Sequence, residues 1–140
     1  MEGTVRDPRE RNLRVIEEFR AKRGDVDGRP LILLTTTGAK SGRPYTTPLM
    51  YLRNGEGLAV FATHGGSPTH PDWYHNLVAH PRVTVEMGSE RFDARAKTIS
   101  GAERDALYAR QAELFPQYAD YQQKTTRTIP VVILERVVDA

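Results

Sequence analysis

Hydrophobic positions follow two rhythms along this chain, one helical and one alternating. Near the start, Asp7-Pro8-Arg9-Glu10 reads as a helix opening. Asp7 is placed to cap, Pro8 suits the first helical position, and Glu10 reaches back as in a capping box. Leu13, Ile16 and Phe19 recur at helical spacing and predict one packed face, with Gly24 as the stop. Residues 24–30 form a polar connector. The run LILL at 31–34, followed by three threonines, predicts a buried strand. GAKSGRP at 38–44 cannot continue it, because two glycines permit positive φ and Pro44 lacks an N–H. A second strand is expected over 46–53, a hairpin turn at NGEG 54–57, and a third strand at LAVFAT 58–63. Together these three predict an antiparallel meander.

The stretch HGGSPTHP at 64–71 predicts a flexible loop before a short helix at 72–79. Thr69 or His70 is its expected cap, Pro71 suits its first turn, and Pro81 ends it. RVTVEM at 82–87 alternates as a strand, and RFDARAKT at 91–98 sets Phe92, Ala94 and Ala96 against charges. Ser100 and Glu103 frame a second capping box, opening a helix to about Leu114 that Pro116 breaks. Residues 117–124 bring Tyr118 and Tyr121 to roughly one helical face, and 129–138 read as the last strand. The predicted fold is α+β, mainly β: a small antiparallel barrel with short helices in its connections. A single domain is expected, with 1–29 as helix and connector and 30–140 as the barrel.

Composition narrows the function classes. The 140 residues carry a formal charge of +2, with 27% charged, which is not a nucleic-acid-binding excess. No apolar run approaches bilayer length, and the polar first residues lack a signal-peptide core. Cysteine is absent, so disulfides, zinc–thiolate sites and thiol catalysis are excluded. A cytoplasmic protein without stable membrane insertion is the simplest expectation.

Candidate chemistry concentrates in three places. The turn at 38–44 presents Lys40, Ser41, Arg43 and backbone N–H groups. It is either a solvated hairpin tip or an anion cradle for a phosphate or carboxylate. It is not a Walker loop, since the earlier glycine and the following helix are missing. Trp73, Tyr74 and Asn76 lie in the first turns of a helix after a glycine loop. They are core anchors, or they form an aromatic wall beside a positive helix terminus suited to a planar anionic heterocycle. Tyr118 and Tyr121 are core phenols or pocket phenols able to deliver a proton. His64, His70, His75 and His80 do not have metal-ligand spacing, and no metal is expected. No hydrolytic constellation is present.

Three stretches carry a resemblance: TTTGAKSGRPYTTPLMY, FATHGGSPTHPDWYHNLVAHPRVTV and YADYQQKTTRTIPVVILE. Together they closely resemble the deazaflavin-dependent nitroreductases and F420H2-dependent quinone reductases. The resemblance implies a split β-barrel related to flavin-nucleotide-binding proteins, with coenzyme F420 as hydride donor. F420 joins a deazaflavin ring through a phosphodiester to a glutamate tail. By resemblance, Lys40, Ser41, Gly42, Arg43 and Pro44 fall where the family holds phosphate and tail. Thr63, His64 and Gly65 fall along ring and linker. Asp72, Trp73, Tyr74, His75 and Asn76 fall at the helix start that meets the deazaflavin. Met50, Phe115, Tyr118 and Tyr121 fall on the substrate side, the two tyrosines being the candidate proton donors. Two departures stand out. Ala39 occupies a position where family members often carry a second basic residue, and Phe115 one where some carry a tyrosine. The implied activity is hydride transfer to a small electron-poor acceptor, a quinone or a conjugated enone or lactone. The expected assembly is a monomer or weak homodimer. The rivals are an FMN- or haem-binding relative of the same fold and a non-catalytic F420 carrier.

Overall fold

The computed structural model describes residues 8–26, 28–55 and 57–138. Its helices are α1 (Pro8–Ala21), α2 (Asp72–Ala79), α3 (Gly101–Leu114) and α4 (Gln117–Gln123). Its strands are β1 (Leu31–Thr37), β2 (Pro44–Met50), β3 (Leu52–Asn54), β4 (Gly57–Phe61), β5 (Arg82–Met87), β6 (Glu90–Ile99) and β7 (Val131–Arg136). A 3-10 turn covers His64–Gly66.

All seven strands join one antiparallel sheet in the order β2-β1-β5-β6-β7-β4-β3. The strands at the two ends of that order, β2 and β3, are neighbours in sequence. Only Tyr51 separates them, and its N–H is taken by the Pro30 carbonyl at 3.1 Å. The single strand expected over 46–53 is therefore two. The chain bends at Tyr51, pairs with β1 before the bend and with β4 after it, and so curls the sheet round on itself. The expected meander holds only for each adjacent pair, because β5, β6 and β7 lie between β1 and β4. The architecture is the split-barrel type with short helices.

The strand sequences explain which faces are covered. Ile32, Leu34, Leu58, Val60, Val83, Val85, Val132 and Leu134 turn inward with Trp73 and Leu77 of α2 to fill one core. On the outside of β1, Leu31 and Leu33 meet Ile16 and Phe19 of α1 and Val26. On the outside of β4 and β7, Ala59, Phe61, Val131 and Ile133 meet Leu107 and Tyr108 of α3 and Tyr118 of α4. Strands buried on both faces need apolar side chains at every position, hence LILL, LAVF and VVIL. β5 and β6 keep one half-exposed face and alternate.

Helix ends depart from the sequence expectations. The Asp7 cap lies outside the described residues. Leu13 is exposed while Ile16 and Phe19 are buried, so the packed face of α1 is narrower than expected. Gly24 does terminate the α1 region, at φ +95° with its N–H on Phe19 O. Pro71, not Thr69 or His70, is the N-cap of α2, and no side chain caps it. The Thr69 carbonyl accepts from Ser67 Oγ, and His70 Nδ1 accepts from Arg127. Ser100 is the N-cap of α3 but makes no side-chain capping bond, so no capping box forms there. The chain enters that helix through Gly101 at φ +66°.

Candidate functional site

The turn between β1 and β2 and the start of α2 face each other across a cavity of about 650 Å³. Gly38, Ala39, Lys40, Ser41 and Tyr45 line it from one side, and Asp72, His75 and Asn76 from the other. Asn76, buried, ties the two sides together. Its Oδ1 accepts the Ala39 N–H at 2.9 Å, and its Nδ2 donates to Thr36 Oγ1 at 3.1 Å.

The turn offers fewer backbone donors than its sequence promises. Gly38 N–H bonds Arg43 O at 2.7 Å, and Gly42 N–H, at φ +71°, bonds Gly38 O at 3.0 Å. Arg43 N–H bonds Ser41 Oγ at 3.2 Å, and Ser41 Oγ also meets Tyr45 Oη at 3.1 Å. An anion in this cavity would meet the Lys40 ammonium and the positive end of the α2 dipole, with the Asp72 carboxylate on the same lining. Pro44 opens β2 opposite Thr37. Tyr45 and Gly38 are cavity residues that sequence reasoning missed. The alternation of PYTT was their only signal, since it predicts one outward phenol beside the turn.

The other residues divide between α2 and the far side of the sheet. Trp73 is buried in the barrel core. Tyr74 lines a separate groove with His70, Arg104, Asp105 and the start of α3, and its hydroxyl meets Thr98 Oγ1 at 3.4 Å. Thr63, His64 and Gly65 form the 3-10 turn and its entry. His64 sits at φ +47°, in the left-handed region that side chains seldom adopt. Its Nδ1 lies 3.1 Å from Thr69 O and 2.9 Å from Ser67 Oγ.

α4 rests directly on this turn. A Cβ on Gly66, whose φ is +80°, would stand 2.8 Å from Tyr121 O, so only glycine lets the two backbones approach. Tyr121 is half-buried at this junction, its ring 5.4 Å from that of Tyr118. Tyr118 is almost wholly buried, against Phe61 at 5.6 Å and Tyr108 at 6.3 Å. Burial pushes the Tyr118 phenol above its ordinary pKa. Gln111 lies beside it and opposes that shift, yet neither Gln111 amide atom reaches hydrogen-bond geometry. Burial also pushes the neighbouring Tyr108 up to about 12, and its hydroxyl donates to Tyr118 O at 2.6 Å. Met50 and Phe115 pack on the same cluster.

Arg127, in the connection between α4 and β7, links the two regions. Its Nε donates to Ser67 O at 2.9 Å, Nη1 to Ala62 O at 3.2 Å, and Nη2 to Thr63 O at 2.7 Å. Nη1 also donates to His70 Nδ1 at 3.0 Å. The His70 ring lies 5.7 Å from that of His75, which lines the basic cavity. Partial burial, then Arg127 and His75, lower the His70 pKa. Among the described residues, no three of His, Asp and Glu converge as a metal site. No helix among them is long and apolar enough to cross a membrane.

Comparison with known proteins gives this geometry a context. The family model for F420H(2)-dependent quinone reductase matches residues 9–136. An F420H(2)-dependent quinone reductase of Mycobacterium tuberculosis is 43% identical over 112 residues, 76% of this chain and 74% of the relative. A solved F420-H2 dependent reductase is 44% identical, covers 76% of this chain and 95% of its own, and superposes with a TM-score of 0.70. A domain-swapped dimer is 40% identical over 92% of this chain and all of its own, with a TM-score of 0.71. At 21% identity the haem storage protein of Vibrio cholerae shares the fold, covering 90% of each chain with a TM-score of 0.62. The match across nearly the whole barrel, including the basic turn, the α2 start and the α4 segment, makes this chain a member of the F420H2-dependent quinone reductase family.

Proposed function

We propose that this protein is an F420H2-dependent oxidoreductase that reduces a small quinone-type acceptor, with conjugated enones or lactones as further substrates. The observation that carries the reading is the cavity that Lys40 and Ser41 line on one side and the start of α2 on the other. The residues suit the cofactor. Lys40 and Arg43, with Ser41 and Gly42, would hold the phosphodiester and acidic tail through charge-assisted contacts. Asp72, His75 and Asn76 would flank the linker, and Thr63, His64 and Gly65 would support the ring. When bound, reduced F420 supplies the hydride. The chain supplies position and a low-water surface for the acceptor.

On the acceptor side, Met50, Phe115 and Tyr118 form an apolar floor, and Tyr121 offers a half-exposed phenol. Burial raises the Tyr118 phenol above its ordinary pKa and shields it from the acceptor side, whereas Tyr121 is the more accessible of the two. A proton for the reduced acceptor therefore comes from Tyr121 or from water. Residues 1–29 serve as helix and connector and 30–140 as the binding unit. The protein works in the cytoplasm, as a monomer or weak homodimer.

The test is direct. Purified protein is titrated with F420, FMN and haem, and F420H2 absorbance is then followed with menadione and an enone. Selective F420 binding with menadione-dependent oxidation is the expected result. Preference for FMN or haem would overturn the reading, and tight F420 binding without turnover on a broad acceptor panel would make the protein a carrier.

A further inference from the structure

We propose that Arg127 is a positioning residue: its guanidinium holds the backbone of residues 62–70 in the shape that receives the deazaflavin. The assignment rests on the reductase reading above. The 3-10 turn His64–Gly66 is closed by only two backbone bonds, Gly66 N–H to Thr63 O at 2.8 Å and Ser67 N–H to His64 O at 3.1 Å, and contains three successive positive φ angles, 47° at His64, 63° at Gly65 and 80° at Gly66. Such a backbone keeps one shape only where its surroundings over-determine it. Arg127 supplies that constraint from the α4–β7 connection. It gathers carbonyls from both sides of the turn, Ala62 and Thr63 before it and Ser67 after it.

Without a cation, these three oxygens would converge on an unfilled spot. A lysine offers three donors from one point and cannot reach positions that the planar guanidinium fork spans. The fourth partner extends the reach of the clamp. An arginine only donates, so His70 Nδ1 accepts and His70 is neutral with its proton on Nε2. His70 in turn stands against His75 of the basic cavity. One guanidinium thus registers the ring-side turn against the tail-side cavity, although the sequence separates Arg127 from both by more than fifty residues.

The test compares Arg127→Lys with Val85→Ala, a barrel-core truncation away from the turn. The two readouts are amide hydrogen exchange at residues 63–67 and the F420 dissociation constant. Arg127→Lys should speed exchange there, and weaken F420 binding, by tenfold or more. Val85→Ala should lower the melting temperature at least as far while leaving both readouts within twofold. Unchanged exchange in Arg127→Lys would overturn the proposal, and so would an equal loss of affinity in Val85→Ala. Should Arg127→Lys not fold, His70→Ala removes a single contact of the clamp and should move both readouts two- to fivefold; no movement would likewise overturn it. If wild-type protein does not bind F420, the reductase reading fails, and exchange alone decides whether Arg127 orders the turn.

Discussion

At the scale of single residues, the basic turn is a site of side chains more than of backbone. Four of its N–H groups are already spent, three within the turn and that of Ala39 on Asn76, so Lys40 should dominate anion affinity. Lys40→Ala should weaken F420 binding about tenfold, or roughly 1.4 kcal/mol, and flatten its salt dependence. An unchanged dissociation constant at moderate salt would remove Lys40 from the site. Ala39 is informative for the opposite reason. Its N–H is fixed by Asn76 and it lines the cavity, so Ala39→Lys adds a cation to the lining and should tighten binding of a long glutamate tail. Equal affinity for short- and long-tailed F420 in that variant would show that the tail leaves the cavity elsewhere. The tyrosines separate by burial. Tyr121→Phe should lower kcat on enones more than Tyr118→Phe does. If neither changes the rate, water is the proton source.

At the scale of elements, the clamp at His70 couples the loop to pH. His70 faces Arg127, His75 and Tyr74, with Arg104 and Asp105 lining the same groove. Its folded pKa lies below the ordinary value near 6.5. Between the two values the unfolded chain binds more protons, so stability rises with pH across that window. The contribution is complete above about pH 6.5 and fades as pH falls below it. Urea denaturation at pH 7.5 and 5.5 should show a smaller acid loss in His70→Asn than in wild type. Equal losses would exclude His70 from the linkage. The α4 junction makes a second prediction. Gly66→Ala forces a Cβ against Tyr121 O at a positive φ and should cost on the order of 2 kcal/mol, read in the same urea experiment. A change within 0.5 kcal/mol, about the size expected of a neutral surface substitution, would show that α4 shifts freely.

At the scale of the whole molecule, much of the order of helices and strands was legible in the sequence, and the reason is burial. Strands covered on both faces read as solid apolar runs, those covered on one face alternate, and glycine and proline mark most boundaries. The family motifs were legible too, because the basic turn, the glycine loop and the tyrosine segment each keep a compact local pattern. Three things were not legible. The bend at Tyr51 follows from closing the sheet, where Pro30 takes the Tyr51 N–H, and no local residue announces it. The caps of α2 and α3 failed because the chain enters α2 through Pro71, which has no side-chain acceptor, and enters α3 through Gly101 at positive φ. The role of Arg127 has no local signal, since its partners Ala62, Thr63, Ser67 and His70 lie far along the chain. By itself, then, the sequence determined the covered faces, the turn chemistry and the family, all of which depend on neighbours in the chain. Only the tertiary structure decided which carbonyls share a cation, which N–H groups are already spent and which tyrosine is left accessible. Those are matters of distance between residues that the chain order keeps apart.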